Sequence, residues 1–389
     1  MFSRRTEWEF APNRLSAAAE ELRRKGERVR DWTLSNPTVV GIPAPSGDFL
    51  GALASPAVLR YNPDPRGMRS AREAVARSVS HSSAPVDPDA ILLTSSSSES
   101  YSHLFRLFCE PGDEILIPTP GYPLFADLAR LHDVRVVPYR LRYDGAWHLD
   151  RDSLRRALGP RTRGIVAVHP GNPTGAYHSK EEREFLGSAA IERGIPIISD
   201  EVFRSFSFDP VPPEASFLSL DVPLVAVLGG LSKLAALPQL KLGWIVVGGK
   251  GARVREAMER LEMMGDTFLS VNTPVQLALP AILDRAGEIG GAFRNRIAQN
   301  LRAIREGCAG TPISLLSSQG GWNAVLRLPG KMQDEEWALE LLQQHGVLTY
   351  PGHFFDLEGG SYLVVSLIVP EGESVENMKI LRAHVAAHG

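Results

Sequence analysis

Five segments of this 389-residue chain carry side chains that could do chemistry, and each follows a short apolar, β-rich run. Ser96, Ser97 and Ser98 follow "AILLTS", Tyr122 follows "EILIPTP", Asn172 follows "RGIVAVHP", Asp200 closes "IPIISD", and Lys233 follows "PLVAVLGG". Lys233 is the single charge between Val222 and Leu240. Burying an unpaired ammonium is costly, so this lysine needs either a surface or a chemical partner. In open α/β sheets, ligands bind beyond the carboxyl ends of the strands. Five such ends here offer hydroxyls, an aromatic ring, an amide, a carboxylate and an amine. Together they make a site.

That set of groups fits a pocket for pyridoxal 5'-phosphate. Lys233 would join the cofactor aldehyde as an imine, which removes the buried ammonium. Asp200 would face the pyridine nitrogen and keep it protonated, so that the ring can accept electrons. Asn172 would hydrogen-bond the phenolic oxygen, and Tyr122 would stack on the ring. Ser96, Ser97 and Ser98, at a helix start, would hold the phosphate with N–H groups, hydroxyls and the positive end of the helix dipole. Each residue alone has a plainer reading: a surface lysine, a helix-capping aspartate, a turn, a serine loop, a packed tyrosine. Order and placement favour the site.

The elements that must position these groups are legible as periodic patterns. Apolar runs at 90–95, 114–120, 134–141, 163–170, 195–201, 223–230 and 241–249 read as seven strands, with helical patterns between several of them. Such alternation predicts an α/β fold with a mostly parallel seven-stranded sheet. A long helical pattern spans about 273–305, and "GGWNAVLRLPG", "EEWALELLQQHG" and "SYLVVSLIVP" then read strand, helix, strand. The expected division is a large domain over 40–283 and a smaller α+β domain from 1–39 and 284–389. Net charge −3 offers no basic footprint for nucleic acid. No apolar run has the length of a membrane span, and "MFSRRTEWEF" lacks the apolar core of a signal peptide. Cys109 and Cys308 are too few for a disulfide framework and too far apart for a paired metal motif. A cytoplasmic protein without a metal is expected.

From "LSNPT" (34–38) to "YLVVSL" (362–367) the sequence resembles the class I/II aminotransferases, fold-type I pyridoxal phosphate enzymes. "SKLAALPQLKLGW" is similar to the family's lysine motif, "GNPTG" to its asparagine turn, "DEVF" to its aspartate motif, and "YNPDPRGMRSAREAVA" to its tyrosine-containing segment. The resemblance implies a homodimer with shared active sites, in which Tyr61 reaches the neighbouring subunit's phosphate. It implies a biosynthetic transferase moving an amino group between an amino donor and a keto acid, with Lys233 also the proton-moving base. Asn36 and Asn172 would lie on the substrate side. A lyase, decarboxylase or racemase on the same scaffold is the alternative.

Four departures from the family pattern bear on chemistry. Phe203 replaces the tyrosine after "DEV", which removes a hydrogen bond to the phenolic oxygen. Lys241 replaces the phosphate-binding arginine and loses its bidentate fork. Gly230 stands where many members have a serine, while Ser96 and Ser97 stand where glycines are usual. Val364 occupies the place of the arginine that grips the substrate's α-carboxylate, and no Arg or Lys occurs between Lys331 and Lys379. Either another cation takes the carboxylate, with Arg204 the first candidate and His353 a weaker one, or the substrate has none there.

Overall fold

Strands buried on both faces read as unbroken apolar runs, and that is how this chain builds its larger sheet. The computed structural model describes residues 1–42, 48–80, 85–209 and 215–388. All seven anticipated strands form: Ile91–Thr94, Glu114–Thr119, Arg135–Tyr143, Thr162–Val168, Ile197–Asp200, Val225–Gly230 and Gly243–Gly248. An eighth, Trp147–Leu149, pairs antiparallel with the end of Arg135–Tyr143. Three residues are too few to show a period.

Across the sheet the order is Ile91–Thr94, Gly243–Gly248, Val225–Gly230, Ile197–Asp200, Thr162–Val168, Glu114–Thr119, Arg135–Tyr143, Trp147–Leu149. The five strands from Val225–Gly230 to Arg135–Tyr143 run parallel, and Gly243–Gly248 runs against both neighbours. Alternate residues feed opposite faces. Leu93, Ile165, Ile197 and Val225 join one core with Val75, Leu279 and Ile282. Leu92, Val166, Ile198 and Ala226 join another with Leu104, Phe105 and Met258. Each such Val, Leu, Ile, Phe or Met side chain, fully buried, contributes about 1.5–3 kcal/mol.

A second, antiparallel sheet comes from Ser314–Leu315, Asn323–Leu328, Ser361–Ser366 and Tyr350–Pro351, in that order. Helix Asp334–His345 packs with it, the N-terminal helix Arg14–Arg24 packs on Asp334–His345, and helix Glu373–Ala387 packs on Asp334–His345 and on the long helix Thr273–Cys308. Arg30–Asp31 pairs with Val347–Leu348. Ser366 N–H also donates to Trp32 O at 2.7 Å, so the two ends of the chain meet. The 36-residue helix Thr273–Cys308 runs unbroken through position 283/284, the expected division. Asn272 Oδ1 starts it by accepting from Val275 N–H. Among the described residues, no helix is long and apolar enough to cross a membrane.

Candidate active site

Two neighbouring parallel strands end level, at Val168 and Asp200, and a third, Val225–Gly230, runs two residues further. Val168 is in register with Asp200, and Asp200 with Leu228. The chain leaving these ends carries Asn172 and Lys233 to either side of Asp200. A cavity of about 390 Å³ lies there, and Ser97, Tyr122, Asn172, Asp200, Phe203 and Lys233 all line it. The opposite wall comes from the second sheet and its loops: Trp322, Asn323, Tyr350, Phe354 and Phe355. Thr33 and Ser35 close one side.

Lys233 sits in the one-turn helix Leu231–Leu234, its Nζ 4.9 Å from the Trp322 ring centre and 5.3 Å from that of Phe203. Burial holds its pKa below the usual lysine value, and the Asp200 charge pulls it partly back. Asp200 is buried, which pushes its carboxyl upward. Two bonds oppose that push: Tyr101 Oη donates to Oδ2 at 3.0 Å, and Val202 N–H to Oδ1 at 3.1 Å. Asn172 Oδ1 accepts from Asn323 Nδ2 at 2.8 Å, which leaves the Asn172 NH2 for a ligand. Tyr122, partly exposed, meets Phe125 edge-on at 5.9 Å.

The serine run divides its labour. Ser96 caps helix Ser97–Phe108 by accepting from Glu99 N–H at 3.2 Å, Ser97 faces the cavity, and Ser98 is half-buried off its wall. A Cβ on Gly243 would lie 3.0 Å from Ser96 C and 3.2 Å from Ser97 N. Only glycine lets that antiparallel strand approach the helix start so closely. A Cβ on Gly230 would press on Gly243 Cα and Leu242 O, both at 3.2 Å. This is a physical reason for the missing serine there.

The remaining candidates lie outside the cavity wall. Lys241 is exposed, with φ +50°, two residues before Gly243. Tyr61 is 79 % exposed and borders a separate hollow with His103 and Ser270. Asn36 is exposed, and its Oδ1 accepts from Thr38 N–H and Oγ1, while its neighbours Thr33 and Ser35 reach the cavity instead. Arg204 turns the other way. Its Nε lies 3.6 Å from the buried carboxylate of Glu201, and it lines a different cavity with Ser216 and Gly229. His353 Nδ1 lies 3.0 Å from Asp334. Val364 is fully buried beside Leu316, Val325, Phe355 and Leu357. Among the described residues lining the cavity, Lys233 is the sole cation.

Tyr101 and Asn323 were not anticipated from the sequence. Tyr101 lies one helical turn after Ser97, on the inward face, and that spacing was the available signal. Asn323 lies 151 residues from Asn172, and no local pattern links the two.

An amine, a carboxylate, an amide hydrogen and a helix start with no Cβ in its way form a donor set that fits a phosphorylated pyridine aldehyde. The family described as "Aminotransferase class I and II" matches residues 28–370. The glutamate-pyruvate aminotransferase AlaA of Escherichia coli K12 is 26 % identical over 352 residues, 87 % of this chain and 85 % of that protein. Human tyrosine aminotransferase is 27 % identical over 401 residues, 95 % and 86 % of the two chains. The solved alanine aminotransferase from Pyrococcus furiosus superposes with TM-score 0.88 at 26 % identity, over 100 % of both chains. Aspartate aminotransferase from Thermotoga maritima shares the fold, with TM-score 0.85 at 20 % identity over 99 % of this chain and 100 % of the other. With this fold, this cavity and a match over nearly its whole length, the chain belongs to the class I and II aminotransferases and is a pyridoxal phosphate-dependent enzyme of fold type I.

Proposed function

We propose that the protein moves an amino group between a donor with an apolar or aromatic body and a keto acid, without an arginine on the donor's carboxylate. The observation that carries this reading is the wall facing Lys233, where Phe203, Trp322, Tyr350, Phe354 and Phe355 gather while Val364 is sealed in apolar packing. Of the names carried by relatives, tyrosine aminotransferase suits such a wall best. Thr33, Ser35, Asn172 and Asn323 offer hydrogen bonds, not an ion pair, to a donor carboxylate.

Bound pyridoxal phosphate supplies an electron sink beside the substrate carbon. Lys233 Nζ holds the cofactor and moves the proton at the substrate's α-carbon, a task suited to an amine whose pKa burial has lowered. Asp200 would keep a proton on the ring nitrogen, Asn172 would donate to the phenolic oxygen, and Tyr122 would lie against the ring. Ser97 and the N–H groups at its helix start bind the phosphate, with Lys241 adding charge nearby. Exposed Tyr61 reaches the phosphate of a second copy, which makes the protein a homodimer with shared sites. We place it in biosynthetic metabolism in the cytoplasm, in keeping with two free, partly buried cysteines.

A panel of amines and amino acids, followed by cofactor absorbance and product analysis, tests the reading. Aromatic and apolar donors should convert the cofactor to its amino form and release the keto product. Release of ammonia, CO2 or an olefin, or reaction with dicarboxylic donors alone, would overturn it.

A further inference from the structure

A group of imidazoles lies between two packed helices, Asp334–His345 and Glu373–Ala387, and it shares no residue with the lysine cavity. His384 and His388 are four residues apart, at the end of helix Glu373–Ala387 and its C-cap, so one face carries both. Glu340 and His345 come from helix Asp334–His345. His388 Nε2 lies 3.1 Å and His384 Nε2 3.4 Å from Glu340 Oε2, and one donor atom from each of the three residues lies within 4.8 Å of the others.

Both rings turn the same nitrogen toward the carboxylate. His388 Nδ1 lies 2.9 Å from the backbone carbonyl of His384, an acceptor only. Nδ1 therefore carries the hydrogen, and the neutral ring presents the Nε2 lone pair to Glu340. His384 Nδ1 lies 3.1 Å from His345 Nε2, which frees its own Nε2 in the same way when Nδ1 donates. His384 is 3 % exposed, and its Nε2 has no hydrogen-bond partner. A buried imidazole nitrogen without a partner is costly in a protein that has nothing to place there. Trp337 packs against both rings, at 5.6 Å and 5.4 Å, and fixes their orientation.

We propose that Glu340, His384 and His388 bind one divalent transition-metal ion, zinc foremost, as a staple between the two helices. Zinc holds N and O ligands at about 2.0–2.2 Å in a tetrahedron, so its donors stand roughly 3.3 Å apart. The separations of 3.1 and 3.4 Å match that edge. Two neutral imidazoles and one carboxylate suit zinc over magnesium or calcium, which take oxygen ligands, and water fills the fourth position. His345 is the outer partner that sets the His384 tautomer. Two further groups border the site: Gln344 Nε2 lies 3.3 Å from Glu340 Oε2, and Lys331 Nζ donates to the His388 carbonyl at 2.9 Å.

The test uses holoenzyme dialysed against EDTA, titrated with zinc chloride against a chromophoric chelator and separately with cobalt chloride. One zinc per chain should bind, the melting temperature should rise by about 5 °C at saturation, and cobalt should give visible bands of a four-coordinate site. H345A should weaken binding by about 10–100-fold, while H388A and E340Q should lose more than that and keep the wild-type rate of amino transfer. His388 is a partly exposed helix end, so H388A tests the site without emptying a core. Absence of stoichiometric zinc, or equal binding in folded H388A and E340Q, would overturn the proposal.

Discussion

Tyr101 donates its hydroxyl hydrogen to Asp200 Oδ2 across 3.0 Å, with both groups buried. The bond favours the charged carboxylate against a desolvation that raises its pKa. In Y101F that support is gone, and the Asp200 pKa should rise further. A hydrogen bond to a charged group is worth about 1.5 kcal/mol at the low end, or roughly one pH unit. The acid-side fall of kcat/KM should therefore move to higher pH by about one unit. An unmoved acid limb would show that Tyr101 only fills space.

Lys233 is the sole cation on the cavity wall among the described residues. Borohydride reduction of the holoenzyme followed by peptide mapping should place the cofactor on Lys233. K233A should fold, retain the cofactor without a covalent link and lose amino transfer. Label on any other lysine refutes the assignment.

Phe203 packs edge-on against Trp322 at 5.4 Å and lies under Lys233 Nζ. In F203Y the new hydroxyl would be a second donor to the phenolic oxygen, beside the amide proposed for Asn172. The cofactor chromophore should then titrate at lower pH by about one unit in a spectrophotometric titration, because hydrogen bonds to an anionic oxygen stabilise its charged form.

Val364 invites the substitution that would restore the family's arginine, and the structure argues that it will fail. The residue is fully buried among Leu316, Val325, Phe355 and Leu357. V364R should lower stability by about 3–5 kcal/mol, since it buries an uncompensated charge. Thermal melting should show the loss, and the rate with α-amino acids should not increase.

Ser97 is the serine of the run that faces the cavity. S97G should keep the backbone N–H groups and lose the hydroxyl, weakening cofactor retention by roughly tenfold or more. Equilibrium dialysis reads this directly, and unchanged affinity would assign phosphate binding to the backbone alone.

What could be read from the sequence follows a physical line. Buried parallel strands announce themselves as apolar runs, and polar residues at their ends stand out against them, so Asp200, Asn172 and Lys233 were legible. Trp147–Leu149 was not, because a three-residue edge ribbon has no period. Tyr101 and Asn323 act through partners 99 and 151 residues away. Arg204 was expected at the substrate and stands instead beside Glu201, a carboxylate held by Ser216 Oγ and Phe217 N–H, contacts that local sequence does not encode. Sequence separation likewise hid Glu340 from His384 and His388.

The cavity is walled by residues from Thr33 to Phe355. It is therefore a late product of synthesis: a nascent chain that already displays Lys233 and Asp200 still lacks Trp322, Asn323 and the aromatic loop. The groups proposed to hold the cofactor therefore leave the ribosome well before the aromatic wall that faces them, so the substrate side of the cavity is finished after the cofactor side.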